Sequence, residues 1–124
     1  MAILVIEDHV DNLDLMRYLL GAFGYTALPA EDGFTGIALA ESESPDLILC
    51  DIQLPDIDGF EIARRLKRHA RLREIPLVAI TALAMVGDRE RVLAAGFDGY
   101  ISKPISPETF VGDVEIFLKA AAKP

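Results

Sequence analysis

Five short apolar runs alternate with longer segments in which apolar residues recur every three or four positions. The runs predict β-strands over residues 3–6, 26–29, 47–51, 77–81 and 99–102. The third and fourth runs are almost continuously apolar, which is typical of parallel strands covered on both faces. The second contains Pro29, which cannot donate a hydrogen bond to a neighbouring strand, so we expect this strand at a sheet edge.

Helical periodicity fills the gaps between the strands and follows the last one. The expected helix signals are an N-cap at Asp11, a helix over residues 33–42, a capping-box-like pair at Asp58 and Glu61, a helix over residues 87–95 followed by Gly96 as its C-terminal cap, and a start at Ser106 and Pro107. Strict alternation of five strands and five helices predicts an α/β domain with a parallel sheet, right-handed crossovers and helices on both faces.

The length of 124 residues fits one domain, which we expect to span residues 1–124 with a core over 2–118 and a frayed tail over 119–124. Cys50 is the single cysteine, which excludes an intrachain disulfide and suits a reducing compartment. The amino terminus has neither the basic start of a secretory signal nor the roughly 20 apolar residues of a membrane span. The sequence therefore indicates a soluble, cytoplasmic protein.

The net charge of −8 is distributed unevenly along the chain. Residues 1–58 carry twelve acidic residues and one basic residue, whereas residues 59–124 carry eight acidic and eleven basic residues. An acidic protein repels phosphate backbones and anionic lipids, so we expect no direct nucleic-acid or membrane binding. Six of the basic residues cluster within residues 64–73. A solvated helix face is the favoured interpretation of this cluster, and partner docking is the second.

The candidate chemistry lies at the predicted strand ends. Glu7 and Asp8 follow the first strand, Asp51 ends the third, Thr81 ends the fourth, and Lys103 follows the fifth. In an open α/β sheet the binding crevice lies outside the carboxyl ends of the strands. We therefore expect three carboxylates, a hydroxyl and an ammonium to converge at one edge of the sheet.

Crowded carboxylates repel one another, which raises their pKa values unless a cation lies between them. Mg²⁺ prefers oxygen ligands and commonly combines a few carboxylates with water and phosphate oxygens. An aspartate such as Asp51 can also act as a nucleophile and form an acyl phosphate. Lys103 would add a positive contact and Thr81 a hydrogen bond to the phosphoryl group. The five groups together indicate phosphoryl capture by Asp51.

Other polar residues near these strand ends have simpler interpretations. We expect His9 to be a loop residue rather than a metal ligand. Asp56 is expected to be a loop acid, and Asp58 the cap of the third helix. Cys50 is expected to be a small buried apolar residue.

The chain resembles the response-regulator receiver domains of two-component signalling from about residue 2 to residue 118. The matching residues are the Glu7–Asp8 pair, Asp51 within DIQLPDIDG, Thr81 followed by Ala82, Tyr100, and Lys103 followed by Pro104. The resemblance implies a flavodoxin-like doubly wound fold with strand order 2-1-3-4-5, and a cis peptide bond before Pro104. The stretches DIQLP and TALAM are most similar to single-domain regulators of the cell-division type.

The resemblance also implies how the site residues divide their roles. Asp51 would accept the phosphoryl group from a histidine kinase or a phosphotransfer protein. Mg²⁺, or Mn²⁺ in its place, would bind Asp8, Asp51 and the backbone carbonyl of Gln53. Glu7 would assist through a water molecule.

As a member of this family the chain would be a switch rather than a turnover enzyme, with only self-phosphorylation and slow self-dephosphorylation. Thr81 would move toward the phosphoryl group, and Tyr100 would turn inward behind it. The face formed by the fourth helix, the fifth strand and the fifth helix would then change its downstream protein partner. Phosphorylation could also favour a homodimer.

Four alternatives compete with this interpretation. The chain could be a receiver domain cut from a larger hybrid kinase or multidomain regulator. A phosphatase of the haloacid-dehalogenase type also uses a nucleophilic aspartate, but on the first strand and in an Asp-x-Asp pattern, whereas position 53 here is Gln53. A flavin- or nucleotide-binding module would need a phosphate-binding loop after the first strand, where this chain is acidic. A degenerate receiver used only for docking is disfavoured by the intact set of five groups.

Overall fold

Five parallel strands alternate with five helices in the computed structural model, which describes residues 1–82 and 87–122. The elements are β1 (Ala2–Ile6), α1 (Val10–Ala22), β2 (Thr26–Ala30), α2 (Gly33–Glu43), β3 (Leu47–Asp51), α3 (Gly59–Arg68), β4 (Leu77–Thr81), α4 (Asp88–Ala94), β5 (Gly99–Ser102) and α5 (Phe110–Ala122). The strand order is β2-β1-β3-β4-β5, with every neighbouring pair parallel. The expected flavodoxin-like α/β fold is confirmed, and β2 with Pro29 lies at a sheet edge.

The central strand β3 shows why its sequence is continuously apolar. Leu47 and Leu49 belong to a core cluster shared with α1 and α5, while Ile48 and Cys50 belong to a second cluster shared with α2, α3 and α4. All five residues of β3 are buried, and Cys50 is the small buried residue expected from the sequence. Because both faces are covered by helices, a functional carboxylate can meet solvent only at the carboxyl end of the strand, where Asp51 lies.

Helix α1 begins two residues earlier than the sequence suggested. Its N-cap is His9, whose side chain makes no capping hydrogen bond, and the Leu13 N–H donates to the His9 carbonyl oxygen (2.9 Å). The Glu7 carboxylate accepts the His9 N–H (3.2 Å) and so turns the chain into the helix directly after β1. The prediction of Asp11 as the cap was therefore wrong. Asp11 lies in the first turn, where an acidic side chain interacts favourably with the helix dipole.

The capping-box prediction at α3 was right for one partner and wrong for the other. Asp58 is the N-cap, and its carboxylate accepts the Phe60 N–H at 2.6 Å. The Glu61 carboxylate instead accepts from Arg65 Nε and Arg64 Nε, each at 3.1 Å. These charge-assisted hydrogen bonds are stronger than one to a neutral backbone N–H, and they lower the pKa of Glu61.

Helix α5 begins later than predicted and continues further. The Ser106 carbonyl oxygen accepts from the Thr109 N–H (3.2 Å) and the Phe110 N–H (2.9 Å), so residues 107–109 form a turn that leads into the helix. The start predicted at Ser106 and Pro107 was wrong for that reason. The helix extends to Ala122, past residue 119 where a tail was expected. Residues 83–86, with most of the TALAM stretch, and residues 123–124 lie outside the described part.

Two smaller expectations are also met by the backbone. Gly96 follows α4 with a φ of 114°, the left-handed conformation expected of a glycine after a helix. The peptide bond between Lys103 and Pro104 is cis. Across the described ranges, every helix is too short or too polar to traverse a bilayer.

Lys67, near the end of α3, connects three segments at the edge of the sheet opposite the carboxyl ends of the strands. Its Nζ donates to the carbonyl oxygens of Arg73 (3.1 Å) and Ile75 (3.4 Å) and to Asp98 Oδ2 (3.1 Å). Asp98 Oδ2 also accepts the Leu77 N–H at 2.8 Å. One ammonium thus joins α3, the loop before β4 and the loop before β5.

We expect a Lys67→Met substitution, which keeps most of the aliphatic side chain, to lower the free energy of unfolding by about 1–2 kcal/mol, because charged hydrogen bonds are lost in a half-buried position. Urea unfolding measures this change. Arg68→Met, an exposed position on the same helix, is the control and should change stability by less than about 0.5 kcal/mol. Equal losses in the two variants would contradict a special role for Lys67.

Candidate functional site

The carboxyl ends of β1, β3 and β5 bring four charged side chains together. Carboxylate oxygens of Glu7, Asp8 and Asp51 lie within 4.8 Å of one another. The Lys103 ammonium lies 2.8 Å from Asp51 Oδ2 and 3.3 Å from Glu7 Oε1. The structure therefore places these four residues together at the expected edge, while the roles assigned to them stay predictions.

Asp51 is oriented through both of its carboxylate oxygens. It is the last residue of β3 and only 4% exposed. Its Oδ1 accepts the Gln53 N–H at 3.0 Å, and its Oδ2 accepts a hydrogen bond from Lys103 Nζ at 2.8 Å. A carboxylate with both oxygens fixed in this way presents its remaining lone pairs in defined directions.

Glu7 is fully buried beside Asp51. Its Oε2 accepts the His9 N–H, whereas Oε1, although near Lys103, makes no hydrogen bond of good geometry within the part of the chain that the structure describes. Burial, and next the adjacent Asp51 carboxylate, raise the pKa of Glu7 from 4.5 to about 7, against the opposing influence of His9 and Lys103. Glu7 Oε1 is thus a buried acceptor that a further cation would satisfy.

Lys103 is the counterion of this cluster. Burial disfavours its charged form, but the hydrogen bond to Asp51 and the attraction of Asp51 and Glu7 outweigh that effect and raise its pKa. Among the described residues the Lys103 ammonium contacts two of the three clustered carboxyl groups, so the cluster carries excess negative charge once all three are ionised.

A hard divalent cation fits this donor set. Three carboxylates offer oxygen atoms close enough to share one ion, and Asp8 is partly exposed, which leaves room for water ligands. Glu7 Oε1 is buried without a hydrogen-bond partner among the described residues, although the Lys103 ammonium lies 3.3 Å away, so it leaves acceptor capacity for a further positive group. The cluster is therefore consistent with a magnesium site.

Thr81 and Tyr100 lie on the strands that follow β3 across the sheet. Thr81 is half-buried at the end of β4, one residue beyond Ile80, the partner of Asp51, and lines a cavity of about 490 Å³ together with Gln53. Tyr100 is half-buried in β5 and packs against the cluster under α2, α3 and α4. The two side chains thus lie one and two strands away from β3, and their switch roles stay predictions.

Asp56 is a loop acid, as the sequence suggested, but its carboxylate has partners that the sequence did not reveal. Its carboxylate accepts the Gly33 N–H at 2.8 Å and the Phe34 N–H at 2.9 Å, at the start of α2. No local pattern could have revealed this pairing, because the partners are 22 and 23 residues away. The side chain of His9, by contrast, is exposed beside the cluster, as expected of a loop residue.

The raised pKa of Glu7 makes the stability of the metal-free protein depend on pH. Between pH 4.5 and about 7 the folded protein retains a proton on Glu7 that the unfolded chain releases. The associated stability is fully present below pH 4.5 and is lost as the pH rises through about 7. We expect a loss of about 3 kcal/mol over this interval that is absent in Glu7→Gln.

Urea unfolding in the presence of a chelator, at several pH values, measures this loss for the wild type and for Glu7→Gln. The difference between the two proteins isolates Glu7 from the other titrating groups. Parallel pH profiles of the two proteins would show that Glu7 titrates normally in the folded state.

Comparison with known protein families points to one kind of domain. A family model described as the response regulator receiver domain matches residues 3–115. The polar-differentiation response regulator DivK of Brucella ovis is 42% identical over 117 residues, which cover 94% of this chain and 95% of that protein.

Solved structures show the same similarity. The receiver domain of sensor histidine kinase PA1611 from Pseudomonas aeruginosa PAO1 is 31% identical with a TM-score of 0.86, covers 95% of this chain and 97% of its own, and has a magnesium ion coordinated in its active-site cleft. The signal receiver domain of a signal transduction histidine kinase from Syntrophus aciditrophicus is 28% identical with a TM-score of 0.89, over 99% of this chain and 93% of its own.

Proposed function

The chain belongs to the response regulator receiver domain family, and from that premise we propose that Asp51 is the residue that accepts the phosphoryl group. Receiver domains are phosphorylation-dependent signalling switches, and they act as phosphoacceptors rather than as turnover enzymes. The observation that carries the proposal is the orientation of Asp51, with Oδ1 bonded to the Gln53 N–H and Oδ2 to Lys103. A carboxylate presented in this way is suited to nucleophilic attack.

In the proposed transfer, an Asp51 oxygen forms a bond to the phosphorus of a phosphohistidine donor while the phosphorus–nitrogen bond of the donor breaks. The electron pair of that bond returns to the imidazole nitrogen, and Asp51 becomes an acyl phosphate. Lys103, at 2.8 Å from Asp51 Oδ2, can remain paired with negative charge as that charge spreads onto the phosphoryl oxygens.

We assign a divalent cation to the same cluster of carboxylates. Asp8, Asp51 and the backbone carbonyl of Gln53 would bind it directly, and Glu7 through a water molecule. When bound, Mg²⁺ or Mn²⁺ supplies positive charge for the phosphoryl oxygens. The spare acceptor capacity of the buried Glu7 Oε1 and the magnesium ion in the cleft of the PA1611 receiver domain support this assignment.

The signal would leave the site through Thr81 and Tyr100. Thr81 would bond the phosphoryl group, Tyr100 would turn inward behind it, and the α4–β5–α5 face would change its affinity for a downstream protein. Shifting a population from 1:99 to 99:1 requires about 5.5 kcal/mol of preference for the active state. Contacts of one phosphoryl group with a divalent ion, Thr81 and Lys103 could supply a preference of that size.

The relatives suggest the partners. Since the 42%-identical relative is named as a polar-differentiation response regulator, we propose a similar cytoplasmic role, with a histidine kinase or a phosphotransfer protein as the phosphoryl donor. The phosphorylated form would bind a downstream protein and could form a homodimer. The alternative is a receiver domain within a larger hybrid kinase. Its support is that the receiver domains of two histidine kinases are similar to this chain.

Intact-protein mass spectrometry tests the proposal. Incubation with Mg²⁺ and acetyl phosphate should raise the mass by one phosphoryl group, and a chelator should prevent the increase. Hydrolysis of p-nitrophenyl phosphate with repeated turnover would instead indicate a phosphatase. A folded protein that gains no phosphoryl group at high donor and Mg²⁺ concentrations would contradict the proposed function.

A further inference from the structure

Asp56 links the loop between β3 and α3 to the start of α2. Its Oδ1 accepts the Gly33 N–H and its Oδ2 accepts the Phe34 N–H, so both oxygens are bonded to another element. Desolvation opposes ionisation of Asp56, but the hydrogen bonds from Phe34 and Gly33 outweigh it and lower the pKa of this carboxyl group. The link therefore involves a carboxylate, whose hydrogen bonds are stronger than those of a neutral acceptor.

Apolar packing closes the same junction. Gly33 is buried against the loop, where a Cβ would overlap Ile57 Cγ2 and lie 2.9 Å from Ile62 Cδ1 and 3.2 Å from Asp56 Oδ1. Ile57, the residue after Asp56, belongs to the core cluster under α2, α3 and α4. Because polar and apolar contacts act at adjacent residues, the middle of the loop has one well-defined position relative to α2.

Helix capping alone does not account for Asp56. Asp32 is already the N-cap of α2, and its Oδ1 accepts the Thr35 N–H at 2.8 Å. Asp56 binds the two preceding N–H groups from a distant part of the chain. Asp32 thus stabilises the start of the helix only, whereas Asp56 also fixes the loop.

The same loop carries the Gln53 carbonyl of the proposed metal site. Near its ends the loop is held by the Gln53 N–H, which donates to Asp51 Oδ1 (3.0 Å), and by the Gly59 N–H, which donates to the Ile52 carbonyl oxygen (2.9 Å). Both of these hydrogen bonds join residues within or next to the loop. Asp56 lies between them and connects the loop to the rest of the protein.

We propose that Asp56 is a positioning residue for the metal site, which fixes the loop against α2 and thereby the direction of the Gln53 carbonyl. The inference rests on the proposed function, because it takes that carbonyl to be a metal ligand. Groups that orient metal ligands typically change metal affinity by about 10- to 100-fold when they are removed. Asp56 acts on one ligand through the backbone, so we expect a change of about tenfold.

Asp32→Ala and Asp56→Ala form a matched pair for the test, because both remove a carboxylate from the start of the same helix. Titration calorimetry of the full chain with MgCl₂ should show about tenfold weaker binding in Asp56→Ala and a change of less than about twofold in Asp32→Ala. Urea unfolding should show a loss of stability in both. Asp56→Asn, which keeps one acceptor oxygen, should lie between the wild type and Asp56→Ala in magnesium affinity.

Hydrogen exchange of residues 52–57 in the metal-free protein gives a readout that a role in helix stability alone would not change. These amides should exchange faster in Asp56→Ala and at the wild-type rate in Asp32→Ala. Equal magnesium affinities in the two variants, or unchanged loop exchange in Asp56→Ala, would overturn the positioning role.

An Asp8→Asn variant separates this inference from the proposed function. Magnesium binding that is lost in Asp8→Asn but unchanged in Asp56→Ala would leave the metal site intact and overturn the positioning role alone. A wild-type protein that binds no magnesium would overturn the proposed metal site and, with it, this inference.

Discussion

An Asp51→Asn variant incubated with Mg²⁺ and acetyl phosphate is expected to gain no phosphoryl group, whereas the wild type gains one. The carboxamide has nearly the same shape as the carboxylate, so its Oδ1 can still accept the Gln53 N–H. It lacks the negative charge that makes the aspartate a nucleophile, and its NH2 group then faces Lys103, which has no acceptor for it. Intact-protein mass spectrometry measures the result directly.

Asp58→Asn is the control for this experiment. Asp58 lies in the same loop and is exposed, but its carboxylate accepts the Phe60 N–H and is not among the acids clustered with Lys103. We expect full phosphoryl uptake in this variant. Uptake by Asp51→Asn at the wild-type rate and extent would place the acceptor elsewhere, with Asp8 the first residue to examine.

The fold and the position of the site follow from features that the sequence displays locally. The apolar run of β3 ends at Asp51, and parallel strands finish at one edge of a sheet, so Asp51, Glu7, Asp8 and Lys103 could be expected to meet there without knowledge of any contact. The family resemblance added the switch roles of Thr81 and Tyr100 and the metal-binding carbonyl of Gln53, which the geometry alone does not assign.

Contacts between distant segments were not predictable in the same way. Asp56 bonds to backbone N–H groups 22 and 23 residues away, and Lys67 to a carboxylate 31 residues away. A hydrogen bond to a backbone atom does not depend on the partner's side chain, so it leaves no pattern in the sequence at that position. Competing partners also decided the capping box, because the Glu61 carboxylate binds Arg64 and Arg65 rather than the backbone. The starts of α1 and α5 differ from the prediction because they depend on backbone hydrogen bonds, such as that from the Leu13 N–H to the His9 carbonyl oxygen, which side-chain patterns do not display.

The cluster of carboxyl groups carries more negative than positive charge, and this excess connects the raised pKa of Glu7 with the proposed binding of a cation. Lys103 faces both Glu7 and Asp51, while Asp8 adds a third carboxyl group to the cluster. The protein without metal relieves the excess by retaining a proton on Glu7 up to a pKa of about 7. A divalent cation would relieve it without that proton, so magnesium binding should release protons near neutral pH.

Substitution of Lys103 by Met should therefore destabilise the metal-free protein strongly. At pH 8, above the pKa of about 7, Glu7 is ionised in the folded wild type, and the variant would leave Glu7 and Asp51 buried without a cation. Removing one partner of a buried ion pair costs about 3–5 kcal/mol, and because Lys103 is 22% exposed we expect about 3 kcal/mol. At pH 5 the loss should be smaller, because Glu7 is then neutral.

Urea unfolding at both pH values, with a chelator and then with Mg²⁺, measures these changes, and the exposed Lys119→Met in α5 is the control that should differ little from the wild type. At a hundredfold excess over its dissociation constant, Mg²⁺ should restore about 2–3 kcal/mol to Lys103→Met.

Phosphorylation should remain possible in this variant, but activation of partner binding should weaken, because the phosphoryl group loses its ammonium contact. Equal stability of Lys103→Met and the wild type at pH 8 without metal would show that Lys103 does not stabilise the ionised forms of the two buried carboxyl groups. Equal partner affinity of the wild type before and after phosphorylation would exclude the switch itself.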